Sequence, residues 1–216
     1  MATTQIILFG LFAVICSVAI AADHSPLQDF CVADPQGAVL VNGRVCKDSK
    51  LAQAEDFFFS GLHVPGNITN PFGSTVNLVS AARLPGLNTL GLSMARLDYA
   101  PWGINPPHIH PRATEIFTVL EGTFYVGFVT SNPDNRLVSK VLQKGDAFVF
   151  PVGLIHFEQN IGNVRAVGLA ALSSQNPGAI SIGSSVFGST PEISNDILAL
   201  AFQVGKNVTN KIKEHF

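Results

Sequence analysis

From Ser74 onward the chain is a succession of short apolar or alternating runs broken by turn residues, and this spacing decides the class of fold. The runs are Ser74–Ala82, Thr89–Ala100, Glu115–Leu120, Phe124–Thr130, Leu137–Leu142, Ala147–Phe150, Ile155–Gln159 and Val164–Leu172. Between them stand Pro85-Gly86, Glu121-Gly122, Asn132-Pro133-Asp134, Lys144-Gly145-Asp146 and Gly162-Asn163. Short strands at this spacing make an all-β sandwich or barrel, expected over 74–190. Residues 23–73 read as an irregular arm rich in Pro, Gly and Asn, with one short strand at Ala38-Val39-Leu40-Val41. The tail, 191–216, changes character. Asp196 to Val204 is rich in helix formers, Ser194 can cap it, and a weaker helix is expected after Gly205. A helical tail on a barrel needs a surface to pack on, and a neighbouring subunit is one answer.

The first segment is set aside before fold reasoning. Ile6 to Ile20 is apolar apart from Gly10 and Ser17, and Ala19-Ile20-Ala21-Ala22 supplies small residues for cleavage. With about 17 apolar positions it is short for a bilayer span and reads as a secretory signal over 1–22. A basic n-region is missing, and a retained anchor is the alternative. Cys16 leaves with the signal, so Cys31 and Cys46 remain as a pair suited to an oxidising compartment. A bridge there, closing a loop of about 15 residues, would contribute on the order of 3 kcal/mol. Two sequons, at Asn67 and Asn207, fit the same address. Asn67 lies in a Gly/Pro/Asn-rich loop, whereas Asn207 sits between apolar helical positions and is expected to be shielded. Only 13% of residues are charged and the net charge is −2, so no basic footprint for nucleic acid exists. The 16 Phe, with so little charge, suggest more apolar surface than one monomer buries, and therefore an oligomer.

Three of the six histidines fall in two compact clusters. In an extended segment residues i and i+2 share a face, so His108 and His110 project together with Ile109 opposite. Glu115 has the wrong parity for an unbroken strand, but Pro111 makes a turn there that can return its carboxylate to the same interior. A later turn, Pro151 to Leu154, feeds His156 onto another strand. Three imidazoles and one carboxylate suit a divalent ion such as manganese, iron or zinc, with positions left open for a small ligand. His24, His63 and His215 lack such company and read as ordinary polar residues.

These residues resemble the cupin superfamily, and within it the plant germins and germin-like proteins. The first cupin motif fits as His108, His110, Glu115 and Gly122, although Trp102, with Gly103 beside it, stands where the family opens with glycine. The second fits at Gly145, Pro151, Gly153, His156 and Asn160. Asp29 to Asp34, Asn105 to Glu115 and Ser174 to Gly178 also look like germin segments, and the likeness covers essentially the whole mature chain. The resemblance implies a cupin jelly-roll barrel with one manganese per subunit on His108, His110, Glu115 and His156. It further implies a hexamer built as a trimer of dimers through C-terminal helices, and an extracellular, apoplastic glycoprotein associated with defence.

For chemistry, superoxide dismutation leads, since it asks only for a two-state metal and an open site for a small anionic or oxygen-derived substrate. Oxalate oxidation asks for donors to a dianion. The resemblance assigns these to two asparagines, one matching Asn105 and the other matching Ala95, which has no donor. That loss would cost roughly 10- to 150-fold in affinity, which puts oxalate oxidation below dismutation. Glu158 shares the face of His156 and has two readings: a second carboxylate near the metal, a catalytic candidate alongside Asn105, or a rim residue paired with a base such as Arg112. A different class of answer is a non-catalytic wall or binding protein, as for family members described as auxin binders.

Overall fold

Burial alternates along the strands as a half-buried sheet requires. In β4 (Glu115–Glu121), Glu115, Phe117 and Val119 are buried while Ile116 and Leu120 face outward. The computed structural model describes residues 28–39 and 43–216; the leader expected at 1–22 lies outside them. Among the described residues, ten strands form two antiparallel five-stranded sheets. The first has the order β1 (Ser74–Val79), β2 (Ser93–Tyr99), β9 (Ala166–Leu172), β4 and β7 (Ala147–Phe150). The second has the order β10 (Ile180–Ser181), β3 (Ile104–Ile109), β8 (His156–Asn160), β5 (Phe124–Val129) and β6 (Leu137–Leu142). This is the two-sheet all-β fold expected from the turn spacing, and it agrees with the jelly-roll that the resemblance implies.

Tyr99, Phe117, Phe124, Val126 and Phe150 fill the interior between the sheets, with the Phe124 ring meeting both Tyr99 and Phe117 edge-on. Gly168 makes room for this packing: a Cβ there would stand 2.1 Å from the Phe117 ring. The strand β3 lies outside the expected runs and contains Pro106 and Pro107. They lie where its pairing with β8 shifts register: Asn105 faces Glu158, but three residues later His108 faces His156. Without that bulge Asn105 and His108 would point to opposite faces. With it both turn inward.

Residues from Cys31 through Phe216 form one unit. Its arm is held by the Cys31–Cys46 disulfide, by backbone pairing of Ala33 with Pro85, and by a buried ion pair. In that pair Asp98 is gripped by Arg96 and accepts from the Gly66 amide, while Arg96 also donates to the Leu62 carbonyl. Ala38 and Val39 are not in a strand, and the other half of that expected element lies outside the described residues. After β10 the chain forms α1 (Ile182–Phe187), which the sequence did not signal, then α2 (Asn195–Phe202) and α3 (Lys206–Lys213). Ser194 caps α2 by accepting from the Ile197 amide. Asn207, expected to be shielded, is exposed on α3, while its sequon partner Thr209 is buried and donates to the Lys206 carbonyl. Among the described residues no helix is long and apolar enough to cross a membrane.

Trp102 explains why a glycine suits its position. The Gly103 amide donates to the Ala100 carbonyl across Pro101-Trp102, and Trp102 has φ 63, the left-handed region. Its ring is 62% exposed and finds no core to fill. The turn precedes Ile104, so it lies at the other end of β3 from His108, roughly 15 Å away. A left-handed bulky residue costs about 1–2 kcal/mol, against roughly 0.5–1 kcal/mol for the extra chain entropy of glycine. Trp102→Gly is therefore expected to raise the urea midpoint slightly and leave metal content unchanged; a lower midpoint would show that the indole contributes packing.

Candidate metal centre

The two sheets each deliver part of one cluster. His108 comes from β3 and His156 from the start of β8; His110 follows β3; Glu115 opens β4 in the opposite sheet. Their ligand atoms all lie within 4.8 Å of one another. The rings pack edge to face or tilted, with centroids 4.1 Å apart for His108 and His156 and 5.1 Å for His108 and His110. Phe150 stacks on His156 at 4.6 Å and limits its rotation.

Each imidazole is oriented by its backbone surroundings. Nδ1 of His108 lies 2.9 Å from the Pro106 carbonyl, that of His156 2.8 Å from the Leu154 carbonyl, and that of His110 2.5 Å from the Gly178 carbonyl. A carbonyl only accepts, so each Nδ1 carries the proton and each Nε2 is left to point inward. Glu115 Oε2 stands 2.9 Å from Nε2 of His110 and 3.8 Å from that of His156. The second distance is too long for a hydrogen bond, and the buried His156 Nε2 has no partner. Donors around an ion at about 2.1 Å lie roughly 3–4 Å apart, so the cluster has the size of a metal site.

The electrostatics point the same way. Burial and then the adjacent His156 hold the His108 imidazole down to about 4, so it is a neutral donor at ordinary pH. Burial disfavours charge on His110 and on Glu115. Their mutual contact outweighs it, raising the imidazole and holding the carboxyl well below its usual range. The pocket thus favours a positive charge between His110 and Glu115, where a bound cation would sit.

Asn105 lines a cavity of about 210 Å³ beside His108, His110 and Glu115. Glu158 is not at the rim. It is 0% exposed behind Asn105, its oxygens lack a hydrogen bond, and Arg112 instead donates to the Asn176 carbonyl. Burial and then the Glu115 charge push the Glu158 carboxyl well above the usual range. The Tyr99 hydroxyl is near enough to be pushed up by burial and by Glu158, yet neither group reaches hydrogen-bond geometry with the other. His63 and His215 lie outside the cluster, exposed.

The sequence profile of the family described as Cupin matches residues 60–210. Germin-like protein 8-2 of Oryza sativa subsp. japonica is 64% identical over 200 residues, 92% of this chain and 90% of the rice protein. Germin-like protein subfamily 1 member 13 of Arabidopsis thaliana is 57% identical over 215 residues, 98% and 97% of the two chains. The chain belongs to the germin-like proteins of the cupin family. Among solved structures, oxalate oxidase in complex with the substrate analogue glycolate superposes on this germin-like chain with a TM-score of 0.86 at 45% identity, covering 89% of this chain and 96% of that one.

Two parts of the site carried no usable sequence signal. Tyr99 reads as a strand aromatic, and the Gly178 carbonyl reaches His110 from 68 residues away. In the sequence, Ser174 to Gly178 carries only a likeness to a germin segment. Gly178 has φ +68, and a Cβ there would stand 2.7 Å from the Arg112 guanidinium. Gly178→Ala should move the carbonyl and weaken metal binding roughly 10- to 100-fold in a chelator competition, with the far-ultraviolet circular dichroism unchanged. An unaltered affinity would remove the carbonyl from the metal site's support.

Proposed function

We propose that this germin-like protein is a secreted, manganese-binding redox protein acting on small oxygen-derived anions, with superoxide dismutation as its leading activity. The observation that carries this reading is the set of three inward Nε2 atoms and one carboxylate beside a cavity lined by Asn105. Manganese held by His108, His110, Glu115 and His156 would supply a one-electron couple between its divalent and trivalent states. The chain's own residues bind, orient and exclude. Backbone carbonyls fix the imidazoles, Phe150 shields His156, and Asn105 is the side-chain donor placed to orient an anion. Glu158, buried across the strand pair from Asn105, is a second carboxylate close to the site.

Oxalate oxidation, the activity named for the 45% identical structure, is disfavoured by Ala95, which lines the cavity without a donor. Secretion is supported by the Cys31–Cys46 bridge, and glycosylation by the exposure of Asn67 and Asn207. A hexamer is supported by the helical tail, where Ile197 and Phe202 are exposed and Leu200 is 82% exposed. A non-catalytic binding role in the wall is the second reading, favoured by the apolar lining of the cavity.

Metal analysis and a superoxide dismutase assay on secreted protein, comparing wild type with His110→Ala, test the proposal. Near-stoichiometric manganese and an activity lost with His110 are expected. Bound metal without activity in the wild type would exclude the dismutase reading.

A further inference from the structure

The cavity beside the metal cluster has two unlike walls. Asn105, His108 and His110 lie on one side; the other is the inner face of the first sheet, which carries Glu115 at one edge of the cavity. There the register places Leu78, Ala95 and Ala170 side by side across β1, β2 and β9, with Val76 and Leu97 in the neighbouring row. Leu172, opposite Glu115, joins the apolar surface directly to the metal cluster. All six side chains line the cavity and none has a hydrogen-bonding group. The remaining polar lining, Asn176 and Ser181, comes from the chain leaving the barrel, and Asn176 is exposed.

We propose that this cavity binds monocarboxylates carrying a compact apolar body, with the carboxylate toward the metal and Asn105 and the body against the first sheet. Three points support that class. A divalent ion on three neutral imidazoles and one carboxylate leaves a net single positive charge, which one carboxylate neutralises. A second carboxylate would face Leu78, Ala95 and Ala170, where burying a charge without partners is unfavourable. The volume, about 210 Å³, exceeds the roughly 150 Å³ of an apolar cavity that takes up benzene. Superoxide would fill only a fraction of it. The inference rests on the metal site of the proposed function but not on dismutase activity.

The test is calorimetric titration of manganese-loaded protein with acetate, isovalerate, benzoate and oxalate, with metal content measured on the same samples. Each buried carbon should strengthen binding roughly fourfold, so isovalerate and benzoate should bind at least tenfold more tightly than acetate and more tightly than oxalate. Ala95→Asn should reverse the order, gaining roughly 10- to 100-fold for oxalate and losing benzoate. Ala95→Ser should do so more weakly should the larger residue impair folding. Wild-type protein with full metal that prefers oxalate, or binds all four alike, would overturn this inference alone. Failure to load metal would overturn it together with the metal reading.

Discussion

The hydrogen bond from each imidazole Nδ1 to a backbone carbonyl is the interaction on which the site depends. It fixes each ring and assigns the Nδ1 proton, so that Nε2 points at a shared centre and is the atom free to bind a cation. The three carbonyls belong to Pro106, Leu154 and Gly178, none of them inside a regular ladder. Pro106 sits at the β3 bulge, and Leu154 and Gly178 lie outside the strands. Glu115 arrives from the other sheet, so the cluster spans both layers of the barrel. A cation there would cross-link the two sheets as well as serve chemistry, and stability and metal content should be coupled.

The two layers have divided their work. The second sheet, with the β3 bulge, turns Asn105, His108, His156 and Glu158 inward. The first offers mostly small and aliphatic side chains at the cavity. On the proposed reading this asymmetry disfavours a dicarboxylate, even though the backbone superposes closely on an oxalate oxidase. Likeness of fold therefore carries the metal geometry further than it carries substrate choice.

Much of this was legible in the sequence. Turn residues marked most strands to within a few positions, because a Gly or Pro in a tight turn is a local requirement. His108, His110 and His156 announced themselves by strand parity and a preceding turn, and Pro111 resolved the parity of Glu115. What stayed hidden was non-local. The bulge at the two prolines of β3, which aligns Asn105 with His108, belongs to its pairing with β8. The Gly178 carbonyl is a backbone contact with no side-chain signature. The burial of Glu158 depends on what covers β8, which alternation alone does not reveal. The helix α1 is a short Ser- and Gly-containing stretch without a periodic apolar face.

The most direct test of the central claim is anomalous diffraction at the manganese edge from crystals of the metal-loaded protein. A single peak bound through Nε2 of His108, His110 and His156 and one oxygen of Glu115, with every Nδ1 still facing its carbonyl, is the expected result. A metal bound through any Nδ1, or a peak away from these four side chains, would contradict the account.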